Sequence, residues 1–205
     1  LWVPEHVVLF DDYESPYPYS LDSKIPAGGK AGMLDVFGAL AFLAGVTDRV
    51  RLGTGICLVP QRNPIYTAKE AATVDWLSEG RLDLGIGVGW LREEFEALQV
   101  PFEHRGSRTR DYLKVMKTLW CDEVSEFEGE FYKLPACRAY PKPVQSPYPP
   151  LFFGGESAPA LRRVAEFGQG WYGFNLEPHE IEPHVEALDK LLKERGRSLD
   201  EIEIA

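Results

Sequence analysis

Short apolar runs alternate with segments of helical period along most of this chain, and that alternation restricts the fold more than any other feature. Strands are expected at 1–4, 50–60, 81–88, 151–153 and 171–175, with a last one opening at Ile202. Helices are expected at 35–46, from Asn63-Pro64 to Gly80, and at 91–98, 108–120, 160–167 and 179–195. Asn63-Pro64 is a helix start, an N-cap followed by proline at N1. Ile65, Ala68, Ala72 and Trp76 then share one helical face. Ile181, Val185, Leu188 and Leu192 repeat that spacing in the last helix. Strands that take turns with helices build a parallel sheet covered by helices, an α/β fold. An open doubly wound sheet and a barrel both satisfy the pattern, and both put their sites at the C-terminal ends of strands. Glu5-His6, the Gly55 region, Gly87 to Gly89 and Gly154 to Ser157 all fall at such ends.

The 205 residues suit one domain, 1–205, with 44% hydrophobic content to fill a core. Within it, 121–150 reads as an insertion: a hairpin over 124–132, then a proline-rich connector from Tyr140 to Pro150. The long stretch 7–33 has no period. It carries Phe10, Tyr13, Tyr17 and Tyr19, and loops of that length are usually lids or disordered segments. Gly28, Gly29 and Gly32 are its candidate hinges. A net charge of −10 repels nucleic acid and anionic membranes, so neither is an expected partner. Three scattered cysteines, odd in number and without a CxxC pair, argue against a disulfide framework or zinc site and point to a reducing cytoplasm. No two histidines have metal-ligand spacing, so no catalytic metal is expected. Cys57 reads as a small core residue rather than a nucleophile.

Gly154-Gly-Glu-Ser157 joins an apolar strand to a helix. It offers bare backbone N–H groups, a hydroxyl and a helix N-terminus, which together favour a phosphate. A tight turn with Ser157 as N-cap is the plainer alternative. Gly85-Ile-Gly87-Val-Gly89 fails the dinucleotide spacing G-x-G-x-x-G, because Leu91 and Arg92 stand where glycine is needed. Its glycines are expected to leave room for a planar ligand; ordinary barrel packing is the alternative. Gly28-Gly29-Lys30 is not a P-loop, and no G-x-S-x-G elbow is present. Gly55 ends a strand without a turn signal and permits a strained backbone beside a ligand. His6 at a strand end could donate a hydrogen bond or a proton.

Several blocks, in order, resemble the bacterial luciferase-like monooxygenase superfamily, most closely its F420-dependent oxidoreductases. They are Trp2 to Val7, Arg51 to Gly55, Pro60 to Pro64, Gly80 to Leu82, Gly87 to Phe95, Phe127 to Tyr132, Pro141 to Pro143 and Gly154 to Ser157. The resemblance implies a TIM-type (β/α)8 barrel, here expected to lack the first βα unit and the elements after strand 7. It implies F420, or FMN as the alternative, at the C-terminal face. It makes His6, preceded by Glu5, the catalytic residue beside the ring. It makes Gly55–Ile56 a non-proline cis bond buttressing the ring, with Gly87 and Gly89 as the wall. Gly154, Gly155, Glu156 and Ser157 match the phosphate site. Trp90 stands where some F420 enzymes have a catalytic glutamate, with Glu93 and Glu94 further along. Arg108 replaces a tyrosine of FMN relatives, favouring a more anionic cofactor tail. The implied activity is F420-dependent hydride transfer to or from a small organic substrate. An FMN monooxygenase with a separate reductase is the alternative, and a non-catalytic flavin-binding protein the second alternative. A homodimer is compatible with the resemblance. The open barrel edges would make this polypeptide alone prone to aggregate or swap strands.

Overall fold

A strand that must be covered on both sides reads as continuously apolar or small, and the run from Leu82 to Gly87 is buried at every residue. The computed structural model describes residues 1–26, 30 and 32–205. Its strands are β1 (Trp2–Val3), β2 (Leu52–Thr54), β3 (Cys57–Leu58), β4 (Leu82–Gly87), β5 (Ser125–Glu128), β6 (Lys133–Cys137), β7 (Leu151–Gly154), β8 (Gly170–Tyr172) and β9 (Glu203–Ile204). Its helices are α1 (Val36–Val46), α2 (Pro64–Leu77), α3 (Arg92–Ala97), α4 (Arg105–Cys121), α5 (Ala158–Phe167) and α6 (Pro178–Lys193). The main sheet runs β1-β2-β4-β7-β8-β9, with β3 also on β4, and every pairing in it is parallel. That is the strand succession of a (β/α)8 barrel, curled with its helices outside.

Side chains alternate across the strands, so the two faces of the sheet do different work. Leu84, Ile86, Phe153 and Trp171 point outward and join the core under the helices. Trp2, Phe152 and Tyr172 fill the inner face. The Trp2 ring lies 5.2 Å from Phe152 and 4.8 Å from Tyr172. Edge-on aromatic pairs of this kind add about 0.5–1.5 kcal/mol beyond the area they bury. At the bottom of the sheet, Arg81 donates to Ala44 O, Thr47 O, Val50 O and Ser78 O. One guanidinium thus satisfies carbonyls at the C-terminal ends of both α1 and α2, which no i+4 amide reaches.

Some boundaries differ from those expected. The run 50–60 is not one strand: Gly55–Ile56 is cis and divides it into β2 and β3, and Val59–Gln61 then winds into a 3-10 turn. The hairpin forms, but its second strand is Lys133–Cys137 rather than 130–132, because Gly129 N donates to Tyr132 O and widens the turn. On α2, Ala68 and Ala72 are buried while Ile65 and Trp76 are exposed. The buried stripe runs through Thr67, Ala71 and Asp75 instead. Buried Asp75 accepts from Gln145 N at 2.9 Å and Gln145 Nε2 at 2.7 Å, and Trp76 Nε1 donates to Lys142 O. Both contacts tie α2 to the proline-rich connector, a demand that apolar periodicity does not register. α4 starts three residues early, with His104 at φ 56 as an N-cap that makes no side-chain cap bond. Gly28 and Gly29 lie outside the described residues.

Candidate active site

The C-terminal ends of β1, β3, β4, β7 and β8 converge on a cavity of about 360 Å³. Glu5, His6, Gly55, Ile56, Gly87, Gly89 and the whole turn Gly154, Gly155, Glu156 and Ser157 line it. The residues singled out at four separate strand ends therefore meet at one place.

Glu5 faces partly away from that space. Its carboxylate accepts from Leu58 N at 2.6 Å and from Arg62, which also reaches Glu70 at 2.7 Å. Burial pushes the Glu5 pKa up, and the Arg62 charge opposes that rise. Glu5 thereby clamps the end of β1 to the segment that follows the cis bond.

His6 is held by a second buried acid. Its Nδ1 lies 2.9 Å from Glu94 Oε2, and the Glu94 side chain is fully buried. Glu94 also accepts from Val7 N at 2.7 Å, Val8 N at 3.3 Å and Gln61 Nε2 at 3.1 Å. Burial raises the Glu94 pKa, but the hydrogen bonds from His6, Gln61 and Val7 outweigh it and hold the group below the usual carboxylate value. An ionised Glu94 accepts from Nδ1–H and so orients the ring. Nε2 has no protein partner among the described residues. Glu94 was visible in the sequence only as an acid beyond Trp90. Its pairing with His6 spans 88 positions and has no local signal.

The glycines of β4 act differently from expectation. A Cβ on Gly87 would overlap Ile56 Cδ1, and one on Gly154 would stand 2.9 Å from the same atom. The room they leave is taken by the Ile56 side chain, not left open for a ligand. Packing across the barrel is their first role, and its result is Ile56 fixed in the cavity wall.

Gly155 sits at φ 97, a left-handed geometry that favours glycine. It turns the chain from β7 into α5, where Ser157 is the N-cap, its Oγ 3.4 Å from Ala160 N. Among the described residues, the backbone N–H groups of Gly155, Glu156 and Ser157 donate to no protein acceptor. Trp171 Nε1 anchors the turn from behind through Gly155 O at 3.1 Å.

The loop after His6 covers the opening. Tyr17 and Tyr19 line the cavity; Tyr13 is buried behind them and accepts from Ile25 N at 2.7 Å; Phe10 does not reach the cavity. Trp90, noted in the sequence only as standing in place of a glutamate, is the hub, with His6, Tyr13 and Tyr17 edge-on to its ring at 5.8, 5.7 and 5.1 Å. Glu93 Oε1 accepts from Glu14 N and Ser15 N, which pins this loop to α3. Although desolvation opposes it, hydrogen bonding from the Ser15 side chain first, and then from backbone N–H groups including those of Glu14 and Ser15, holds the Glu93 pKa down at about 2. Burial, then the Glu156 carboxylate, pushes the Tyr19 phenol pKa up. Arg108 is spent on Pro101 O and Glu103 O. The arginine that does line the cavity is Arg163, three residues past Ala160 on the same face of α5. Among the described residues, no group of three or more His, Cys, Asp or Glu could hold a metal ion, and no helix is long and apolar enough to cross a membrane.

Known proteins resemble this chain in sequence and in fold. An uncharacterised protein of Mycobacterium tuberculosis is 34% identical over 196 residues, 96% of this chain and 69% of its own length. The oxygenase component of a flavin-dependent trigonelline monooxygenase from Acinetobacter baylyi is 39% identical over 115 residues, 55% of this chain and 32% of that protein. Among solved structures, the coenzyme F420-dependent tetrahydromethanopterin reductase of Methanopyrus kandleri superposes with a TM-score of 0.75 at 27% identity, over 84% of this chain and 53% of that one. The chain thus spans about half the length of that solved structure. The model of luciferase-like monooxygenases matches residues 5–205. With the barrel strands and that match in agreement, the chain belongs to the luciferase-like monooxygenase family.

Proposed function

We propose that the protein is an F420-dependent oxidoreductase that transfers a hydride to or from a small organic substrate. One observation carries this reading: four strand ends place a histidine, a fixed Ile56, and a turn of unpartnered N–H groups around a single cavity. Those N–H groups, at the N-terminus of a ten-residue helix, suit the phosphate of a flavin-type cofactor. Ile56 would support the ring face, and Tyr17, Tyr19 and Trp90 would keep water from it. His6 Nε2 would hydrogen-bond to, or exchange a proton with, the substrate, while Glu94 orients the ring from behind. The deazaflavin, when bound, supplies the hydride chemistry. The likeness to the methanogen reductase supports F420. The likeness to the Acinetobacter oxygenase component favours the second reading, an FMN-dependent monooxygenase fed by a separate reductase.

Gly155→Val tests the turn. A β-branched residue at φ 97 is strained by about 1–2 kcal/mol, and the turn must shift to relieve it. Titration with F420 and FMN should show roughly tenfold or weaker binding by a folded variant. Undiminished affinity would remove this turn from the cofactor site.

A further inference from the structure

Arg163 stands where a positive charge is least welcome. It lies at the cavity side of α5 beside Ala160, six residues beyond the N-cap Ser157. Its Nη1 is 3.6 Å from where a Cβ on Gly106 would stand, so it also abuts the N-terminal turn of α4, which opens at Arg105. Helix N-termini carry positive partial charge, and here the first turn of α4 meets the guanidinium. The neighbouring side chains repeat the sign. Burial first, then Arg110, Arg105 and Arg162, pull the Arg163 pKa down to about 10, with Glu166 alone opposing them. Glu166 is itself engaged by Arg110 at 2.7 Å. Arg105 spends its Nε on Gly89 O, lies 3.8 Å over the Phe102 ring and, among the described residues, has no carboxylate partner. Among the described residues, Arg163 makes no hydrogen bond and no ion pair.

This concentration of positive charge occurs in a chain with 32 acidic residues against 22 basic ones. A guanidinium offers five donors in a fixed fork, and leaving it largely buried without an acceptor is unfavourable. The partner that would balance it is an anion entering from the cavity.

We propose that Arg163, with Arg105 beside it, forms a second anion subsite, so that the ligand of this cavity carries negative charge beyond the group seated on the N–H groups of Gly155 to Ser157. The ligand class is a diphosphate or a phosphate extended by carboxylates, as distinct from a single phosphate ester. The inference rests on the cofactor reading above for what the ligand is, but not for where the charge must lie. It also relocates the preference for an anionic tail from Arg108, whose donors are taken by carbonyls, to Arg163.

The test compares the parent protein with Arg163→Gln, Arg163→Lys and, as a charge-matched control, Arg138→Gln, whose residue is exposed and paired with Glu123. Binding of inorganic phosphate and of pyrophosphate is measured by calorimetry, and binding of riboflavin, FMN and F420 by spectral titration. Loss of one charge-assisted contact should weaken pyrophosphate and F420 by roughly 10- to 100-fold in Arg163→Gln. Riboflavin should be unaffected, FMN affected less than F420, and Arg163→Lys should recover part of the loss. Ligand-free Arg163→Gln should unfold at or above the parent's temperature, since a repelled charge has been removed. Equal losses for riboflavin and F420, no loss for pyrophosphate, or a markedly lower unfolding temperature would overturn the subsite. A parent that binds pyrophosphate through Arg163 but binds no flavin or deazaflavin would overturn the cofactor reading and leave the subsite standing.

Discussion

His6→Ala is expected to lower turnover by roughly 10²–10⁴-fold, the loss that follows removal of a positioned acid or base, with a far smaller change in cofactor affinity. The expectation comes from the way the ring is held. Glu94 takes Nδ1, so the free edge of the imidazole is Nε2, and His6 lines the cavity. A residue present only to fill space would not need a buried carboxylate to fix its ring. The fold should survive the change, because Glu94 keeps its bonds from Val7 N, Val8 N and Gln61. Steady-state rates together with a cofactor titration check it. Turnover close to the parent's would reduce His6 to a structural residue.

Glu94→Ala should destabilise the protein by about 2–5 kcal/mol, because four donors lose one acceptor in a place water does not reach. For a chain of this size that lowers the melting temperature by roughly 5–15 °C. The pH dependence has a definite sign. Glu94 is held below the ordinary carboxylate value of 4.5 in the folded state, so its contribution is complete above that value and fades as pH falls through the lower one. Glu94→Gln should therefore be less stable than the parent at neutral pH, with the gap closing in acid. Denaturant melts at several pH values measure this. A parent-like melting temperature for Glu94→Ala, or a gap that widens in acid, would contradict the network described here.

The parts of the fold read directly from the chain are those whose cause is local. Alternating apolar runs announced the parallel sheet, Asn63-Pro64 announced the start of α2, and Gly154 to Ser157 announced the turn into α5. What was not legible depends on contacts distant in sequence. Ile56 is fixed in the cavity wall because Gly87 and Gly154, on two other strands, make room for it, so the glycines of β4 looked like space for a ligand. Glu94 lies 88 residues from His6. Trp90 gained its place only when the loop carrying Tyr13 and Tyr17 folded across it. Ile65 and Trp76 matched a helical stripe, yet polar Asp75 won the buried face because Gln145 meets it there.

The central claim is that this cavity binds a flavin-type cofactor between the turn at Gly155 and the wall at Ile56. Parallel titrations of the purified protein with F420 and with FMN, followed by visible absorbance and fluorescence, address it directly. Saturable binding with one site per chain, tighter for F420 and abolished or strongly weakened by Gly155→Val, is the predicted result. Binding of neither cofactor would contradict it, as would binding that the turn substitution leaves untouched.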